Sequence, residues 1–132
     1  MMSPSNILTT NGITISVRTA FVPEQSSLDQ NNFVFAYEIE IENQNNFPIQ
    51  LISRKWVITD ALLGKRHVSG LGVVGDQPII LPENKYSYIS GCHFKTPIGK
   101  MQGYYKMINL ETSEVLIARI PEFTMYCPYF MN

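Results

Sequence analysis

The 132-residue chain has little of the residue types that mark specialised protein classes. It holds two cysteines and two histidines, and neither type occurs at the C-x-x-C or H-x-x-x-H spacing of a structural zinc site. Charged residues make up only 16% of the chain and the formal net charge is -1, so the composition gives no overall field that would attract nucleic acid. Eight glycines and eight prolines are too few for a low-complexity or collagen-like chain.

Long hydrophobic runs are also missing. The uninterrupted apolar runs are a few residues long, far short of the roughly 20 that a membrane-spanning helix needs. The first eight residues have neither the basic region nor the apolar region of a secretory signal. We therefore expect a cytoplasmic protein with no membrane partner, in which Cys92 and Cys127 stay reduced and unbridged.

Helix-favouring residues are scarce, and strand-favouring residues are abundant. The sequence has 4 Ala and 9 Leu against 15 Ile, 8 Val and 8 Thr, a balance that favours strands over helices. Its aliphatic and aromatic residues suffice for one sizeable core without disulfides or metals. The composition therefore predicts an all-β protein that forms a single domain over residues 1–132.

Alternation of apolar and polar residues places the strands. In Phe33–Glu42 the odd positions are large and apolar and the later even positions are carboxylates, as in a half-buried strand. Weaker alternation or β-rich composition marks further strands, with turn residues between them. About eight strands result, a number typical of a β-sandwich. We expect the following large side chains in its core: Phe33, Phe35, Tyr37, Ile39, Ile41 and Trp56.

A glycine-rich segment, Gly70–Gly75, matches the pattern G-x-G-x-x-G. A dinucleotide site needs a helix at the third glycine, but Pro78 and the β-branched Ile79 follow. Two interpretations stay open. The segment is either a turn that needs glycine for close backbone approach, or a nest of N–H groups that binds phosphate or pyrophosphate. The candidate anion-binding residues are Gly70, Gly72, Gly75, Arg54, Lys65 and Arg66.

Three carboxylates, Glu38, Glu40 and Glu42, alternate along the best-defined strand. They would project from one face about 7 Å apart, too far for two of them to hold an ion tightly without other ligands. They are candidates for a loosely held divalent cation. The alternative is a solvated outer face of the sheet.

No arrangement of residues points to catalysis. Cys92 and His93 are adjacent on a strand, so their side chains point to opposite faces and cannot form a dyad. Neither a nucleophile elbow nor a P-loop is present. We therefore predict a protein that is not an enzyme and carries no cofactor. The apolar C-terminus, Pro121 to Asn132, should dock on the sandwich or across a dimer interface.

The sequence resembles the bacterial ApaG proteins. The resemblance is carried by four segments that together span most of the chain. They are residues 51–60 (LISRKWVITD), residues 70–78 (GLGVVGDQP), Ser90-Gly91-Cys92 with residues 96–103 (TPIGKMQG), and residues 120–123 (IPEF).

This resemblance implies an immunoglobulin-like or fibronectin type III-like sandwich. It also implies a link to cobalt tolerance and magnesium efflux, and a partner-binding role like that of the same domain in eukaryotic F-box and polymerase-interacting proteins. No catalytic residues come with it, and Lys55 stands where many relatives have histidine.

Two functions remain open at this stage. The first is a non-enzymatic module that binds an unknown protein partner, with a homodimer as an alternative and nucleic acid excluded by the net charge. The second is a small-ligand sensor that binds phosphate at Gly70–Gly75 or a divalent cation at the carboxylates.

Overall fold

A computed structural model of the chain describes residues 2–3 and 5–130. Among these residues the helical segments are two three-residue 3-10 turns, Pro23–Gln25 and Pro128–Phe130, and neither has the length or apolar character to cross a membrane. The strands are β1 (Asn6–Thr10), β2 (Ile13–Phe21), β3 (Phe33–Asn43), β4 (Ile49–Asp60), β5 (Gly64–Leu71), β6 (Ile79–Ile80), β7 (Lys85–Phe94), β8 (Ile98–Asn109) and β9 (Val115–Tyr126).

The strands form two antiparallel sheets. The first has the order β1-β2-β3-β7, and the second has the order β5-β4-β8-β9, with the short β6 beside one end of β4. The predicted all-β sandwich is confirmed. Its immunoglobulin-like or fibronectin-like arrangement stays a prediction.

The core lies between the sheets and is built around β3. All six residues predicted for the core are at most 6% exposed, which confirms the parity read from the sequence. The rings of Tyr37 and Trp56 meet edge to face across the two sheets with their centroids 5.6 Å apart. Phe123, which lies in the same sheet as Trp56, meets Trp56 edge to face at 6.0 Å. Such pairs add specific geometry to the burial of apolar area.

On one side of the sandwich the two sheets close against each other at β1 and β9. The side chain of Asn6 donates a hydrogen bond to the Glu122 carbonyl at 3.0 Å, and the side chain of Asn11 donates one to the Ile117 carbonyl at 2.8 Å. These amides occupy carbonyls of β9 that would otherwise be free for another strand. This side of the sandwich is thereby covered.

The opposite side is open. Its edges are β5 of the second sheet and β7 of the first. Most residues of β5 are exposed, and the link seen between the two edges is the Arg66 guanidinium, which donates to the His93 carbonyl at 3.2 Å. Solvent therefore reaches the space between the sheets from this side.

The hairpin between β4 and β5 is fixed by the buried carboxylate of Asp60, which is 1% exposed. It accepts hydrogen bonds from the backbone N–H groups of Leu62 and Lys95, each at 2.8 Å. Burial would raise the pKa of Asp60, but these bonds, with others from Leu63 and the Thr96 hydroxyl, outweigh burial and hold that pKa below its ordinary value.

The C-terminal segment docks on its own sandwich, in agreement with one of the two predicted arrangements. Tyr129 meets Phe21 at a centroid distance of 5.7 Å, and Phe130 meets Phe33 at 5.8 Å. The N–H group of Cys127 donates to the Pro97 carbonyl at 2.7 Å. Met131, a member of the predicted apolar cluster, lies outside the described residues.

Candidate functional site

The three carboxylates of β3 lie on the outer face of the first sheet. The Arg18 guanidinium forms an ion pair with Glu38, and the Lys85 ammonium lies 3.3 Å from the Glu40 carboxylate. The Glu42 carboxylate accepts a hydrogen bond from the Gln44 side chain at 3.4 Å. Among the described residues, no three His, Cys, Asp or Glu side chains converge as metal ligands.

The glycine-rich segment begins as a strand and ends as a tight turn. Residues 70 and 71 belong to β5. Gly72 has a φ of +60°, and its N–H group donates to the Ile52 carbonyl at 2.8 Å. Val73 and Asp76 then exchange two backbone hydrogen bonds, each 2.8 Å long. The N–H groups of Gly72 and Val73 are thus occupied within the fold.

Of the candidate cations, Arg54 is the one that reaches this turn. Its Nη1 atom donates to the carbonyls of Leu71 at 3.0 Å and Gly72 at 2.8 Å. The guanidinium lies against Gly70, where a Cβ atom would come within 2.9 Å of Nη1 and Nη2. The Arg54 side chain therefore packs against Gly70 and donates its hydrogen bonds to backbone carbonyls.

Lys65 and Arg66 lie at the far end of β5. They pair in register with Thr59 and Ile58, whereas Gly70 pairs with Arg54. Lys65 lies five positions before Gly70, about 16 Å away at the usual rise of a strand. Lys65 shares the outer face of the sheet with Thr59, and Arg66 shares the inner face with Ile58. The structure thus brings together Arg54, Gly70 and Gly72 and separates them from Lys65.

A cavity of about 290 Å³ lies between the sheets at the open side. Val68, Val74 and Gly91 at its mouth are exposed, so solvent reaches it. The cavity is also lined by Tyr37 of β3, by Arg54 and Trp56 of β4, and by Tyr88, Ser90 and Cys92 of β7. The cavity therefore combines aromatic walls with one cation and several polar groups.

The charge of Arg54 acts on Tyr37 and Tyr88, which line this cavity, and on Tyr105, which is hydrogen-bonded to Tyr88. The hydroxyls of Tyr88 and Tyr105 form a hydrogen bond 2.5 Å long. Burial raises the pKa of Tyr37, Tyr88 and Tyr105, and the positive charge of Arg54 opposes that rise at all three. The positive charge of Arg54 therefore acts on the buried tyrosine hydroxyls between the sheets.

Cys92 and Cys127 are both free thiols, which confirms the prediction that they are unbridged. Cys92 faces the interior and its Sγ donates to the Met125 Sδ at 3.7 Å. Burial raises the pKa of Cys92 to about 12, although the nearby Arg66 charge acts against the rise. The Cys92 thiol is thus protonated at neutral pH and is not an activated nucleophile.

The outer face of the second sheet carries a cluster of positive charge that the sequence analysis did not identify. In one cross-strand row Ser69, Lys55, Tyr104 and Arg119 are neighbours, and in the next row Leu71, Ser53, Lys106 and Ile117 are neighbours. A third row places Lys65, Thr59 and Lys100 together. Five of the ten lysines and arginines of the chain lie on this cationic face: Lys55, Lys65, Lys100, Lys106 and Arg119.

Few negative charges oppose this cationic face. In the described strands β4, β5, β8 and β9, the outward-facing carboxylate is that of Glu122, which lies 3.9 Å from the Lys100 ammonium. A shallow groove of about 540 Å³ crosses the face between Leu71 and Ile117 and passes Lys55, Tyr104 and Lys106. Leu71 is 75% exposed and Val115 is 49% exposed, so the groove offers apolar surface beside the cations.

Comparisons with known proteins agree with the strand pattern and the motifs. The ApaG domain model matches residues 23–109. The protein ApaG of Thiobacillus denitrificans is 48% identical over 120 residues, which is 91% of this chain and 94% of that protein. The protein ApaG of Methylobacillus flagellatus is 44% identical over 118 residues, which is 89% of this chain and 92% of that protein.

A solved structure of similar sequence also has this fold. The crystal structure of an ApaA protein from Bordetella pertussis matches with a TM-score of 0.84 and 40% sequence identity, and the match covers 97% of this chain and 98% of that one. The names of these relatives specify no reaction. The chain belongs to the ApaG family.

Proposed function

We propose that this protein is a non-enzymatic interaction module that binds an acidic segment of a partner protein on its cationic face. The observation that carries the proposal is the gathering of five cations on one sheet, against the single outward-facing carboxylate of Glu122 in its described strands. Opposite charge on the partner would speed association and fix its orientation.

The groove favours a polypeptide over a nucleic acid. Its exposed apolar residues, Leu71 and Val115, fit the mixture of apolar and charged side chains found in protein interfaces. Single-stranded nucleic acid is usually held by several aromatic platforms, and Tyr104 is the aromatic residue that lines the groove.

The two small-ligand alternatives receive less support. At the Gly70–Gly75 turn, the N–H groups of Gly72 and Val73 already donate to the backbone. On β3, Glu38 and Glu40 are each paired with a cation. Under this proposal the link to cobalt tolerance and magnesium efflux that the resemblance implies would act through the partner. The cytoplasm is the proposed setting, since both cysteines are free thiols.

Titration of the isotopically labelled protein with poly-L-glutamate, followed by NMR, tests the proposal. We expect shifts at Lys55, Tyr104 and Lys106 and a dissociation constant that rises with salt. The Lys106→Glu variant should bind about fivefold more weakly, because one attraction becomes a repulsion. Lys95→Glu is the matched control, since it makes the same charge change in the exposed turn between β7 and β8.

Two results would overturn the proposal. The first is an equal loss of affinity in Lys106→Glu and Lys95→Glu, which would show that only net charge matters. The second is tighter binding of single-stranded DNA than of poly-L-glutamate with the same dependence on Lys106, which would make the face a nucleic-acid site.

A further inference from the structure

The interior position of Arg54 is unusual for a sandwich. Arg54 pairs in register with Tyr105, which is fully buried, and it shares the inner side of β4 with Trp56 and Ile58. An inward-facing charge normally needs a partner of opposite charge, because removal from water is costly. Among the described residues, no carboxylate lies within 4.0 Å of this guanidinium.

Part of the guanidinium is left without a partner. Nη1 donates to the Leu71 and Gly72 carbonyls, while Nε and Nη2 have no hydrogen-bond acceptor among the described residues. No described side-chain nitrogen or oxygen is both sealed from solvent and without a partner, so these two atoms are accessible. They supply donors in the geometry that matches a carboxylate.

The hydroxyl pair of Tyr88 and Tyr105 adds a further donor. Two hydroxyls joined by one hydrogen bond use one proton between them, so the accepting hydroxyl keeps its own proton to donate. When Tyr105 donates to Tyr88, the Tyr88 hydroxyl keeps a proton for a ligand in the cavity. Tyr88 lines the cavity and is 8% exposed. Its ring, with those of Tyr37 and Trp56, supplies an apolar wall behind the polar groups.

We propose that the inter-sheet cavity binds a small monoanionic carboxylate with an apolar or aromatic body, held by the Arg54 guanidinium and the Tyr88 hydroxyl. One unpaired cation matches one negative charge, and the aromatic walls match an apolar body. A volume of about 290 Å³ lies at the lower end of ligand cavities and limits the ligand to a small molecule. Arg54 also borders the groove of the cationic face, but Trp56 and Tyr88 line only the cavity and Lys106 lines only the groove. Failure of benzoate binding would therefore leave the proposed function standing.

Trp56 is the single tryptophan of the chain and lines the cavity, so its fluorescence reports occupancy. The probe is benzoate, and benzamide is its neutral analogue of nearly the same shape. We expect saturable quenching by benzoate with a dissociation constant of about 1 mM or lower, and at least about tenfold weaker binding of benzamide. Inorganic phosphate is titrated in parallel and should bind more weakly than benzoate.

Substitutions test which residues hold benzoate. Arg54→Gln should weaken benzoate binding about tenfold or more. Arg66→Gln is the matched control on the same side of the sheet and should weaken binding much less than Arg54→Gln, because the Arg66 charge is felt at Cys92 but its side chain does not line the cavity. If Arg54→Gln fails to fold, Tyr88→Phe decides, since it removes the hydroxyl with little change of volume and should weaken binding several-fold.

Absence of saturable quenching by benzoate would overturn the inference. Equal affinity for benzoate and benzamide would also overturn the inference, because the ligand's charge, and so the guanidinium, would then make no difference to binding. Tighter binding of phosphate than of benzoate would also contradict the inference, since it would assign the guanidinium to a different class of anion. Unchanged affinity in a folded Arg54→Gln or Tyr88→Phe variant would place the ligand elsewhere.

Discussion

The Arg54 guanidinium lies against Gly70, so close that a methyl group at position 70 would meet Nη1 and Nη2 at 2.9 Å. Glycine at position 70 thus makes room for a charged side chain to pass from β4 beneath β5. The carbonyls of Leu71 and Gly72 are the acceptors at the end of that path. The sequence of β5 and the placement of this arginine are therefore linked.

Substitution of Gly72 and Gly70 should separate a backbone requirement from a side-chain requirement. Gly72→Ala places a Cβ atom 2.1 Å from the Asp76 carbonyl oxygen at a φ of +60°, so we expect a loss of more than about 1 kcal/mol of unfolding free energy. Gly70→Ala meets only side-chain atoms at the end of Arg54, which can shift more easily than backbone, and should lose less. Chemical denaturation of both variants measures the difference, and equal losses would contradict this explanation.

Asp60 should contribute to stability in a pH-dependent way. Its pKa is lowered in the folded state, so its contribution is present above the unfolded pKa of about 3.9 and is lost as the pH falls through the folded pKa. Asp60→Asn should lower the unfolding free energy at pH 7 by about 1–3 kcal/mol, because a buried acceptor is replaced. The difference from wild type should shrink below about pH 4. Asp29→Asn, in an exposed loop, is the control, and a difference independent of pH would refute the role given to the carboxylate.

The rings at the C-terminus should stabilise the end of the sandwich. Removal of both rings in Tyr129→Ala/Phe130→Ala breaks the pairs with Phe21 and Phe33, and we expect a loss of about 1–3 kcal/mol, seen as a lower Tm. Tyr126→Ala is the control, because Tyr126 is 49% exposed and is in no ring pair among the described residues. An unchanged Tm in the double variant would mean that the segment contributes no stability.

Cys92 should be slow to react despite its place at a solvent-reached cavity. With a pKa of about 12, its thiolate fraction at pH 8 is about three orders of magnitude below that of an ordinary cysteine thiol. Alkylation by iodoacetamide, followed by mass spectrometry in a Cys127→Ala background, measures the rate. Denaturant should restore rapid alkylation, whereas a native rate equal to that of glutathione would show that the thiol is not buried.

The part of the fold that sequence predicts best is β3, because every second residue from Phe33 to Ile41 is apolar and faces the core. The edge strands β1 and β5 have no clear alternation of apolar and polar residues, so the sequence does not predict them. Leu8 and Val68 are partly exposed, and a strand that lies at an edge does not need strict alternation.

The inward position of Arg54 was hidden by a β-bulge. The register shifts between Leu51 and Ser53, so residues before and after the shift have opposite parity. Leu51 and Trp56 are both buried although they lie an odd number of residues apart. That mismatch is the sequence signal that could have revealed the bulge, and with it the arginine between the sheets.

The cationic face illustrates another limit of sequence interpretation. Lys55, Lys106 and Arg119 lie on three different strands and become neighbours only through the register of β4, β8 and β9. The net charge of -1 averages over both sheets. An average of this kind excludes a strong overall field but does not show how the charges are distributed.

The cations of the second sheet lie on one outer face, whereas Glu38 and Glu40 on the opposite outer face are paired with Arg18 and Lys85, so the excess of charge is positive and lies on one side of the sandwich. The isoelectric point of about 6.1 therefore does not predict how the protein binds to negatively charged surfaces. At pH 7 it should be retained by a cation-exchange resin despite its net negative charge. Added salt should release the protein from the resin, because salt screens the attraction between this positive face and the resin.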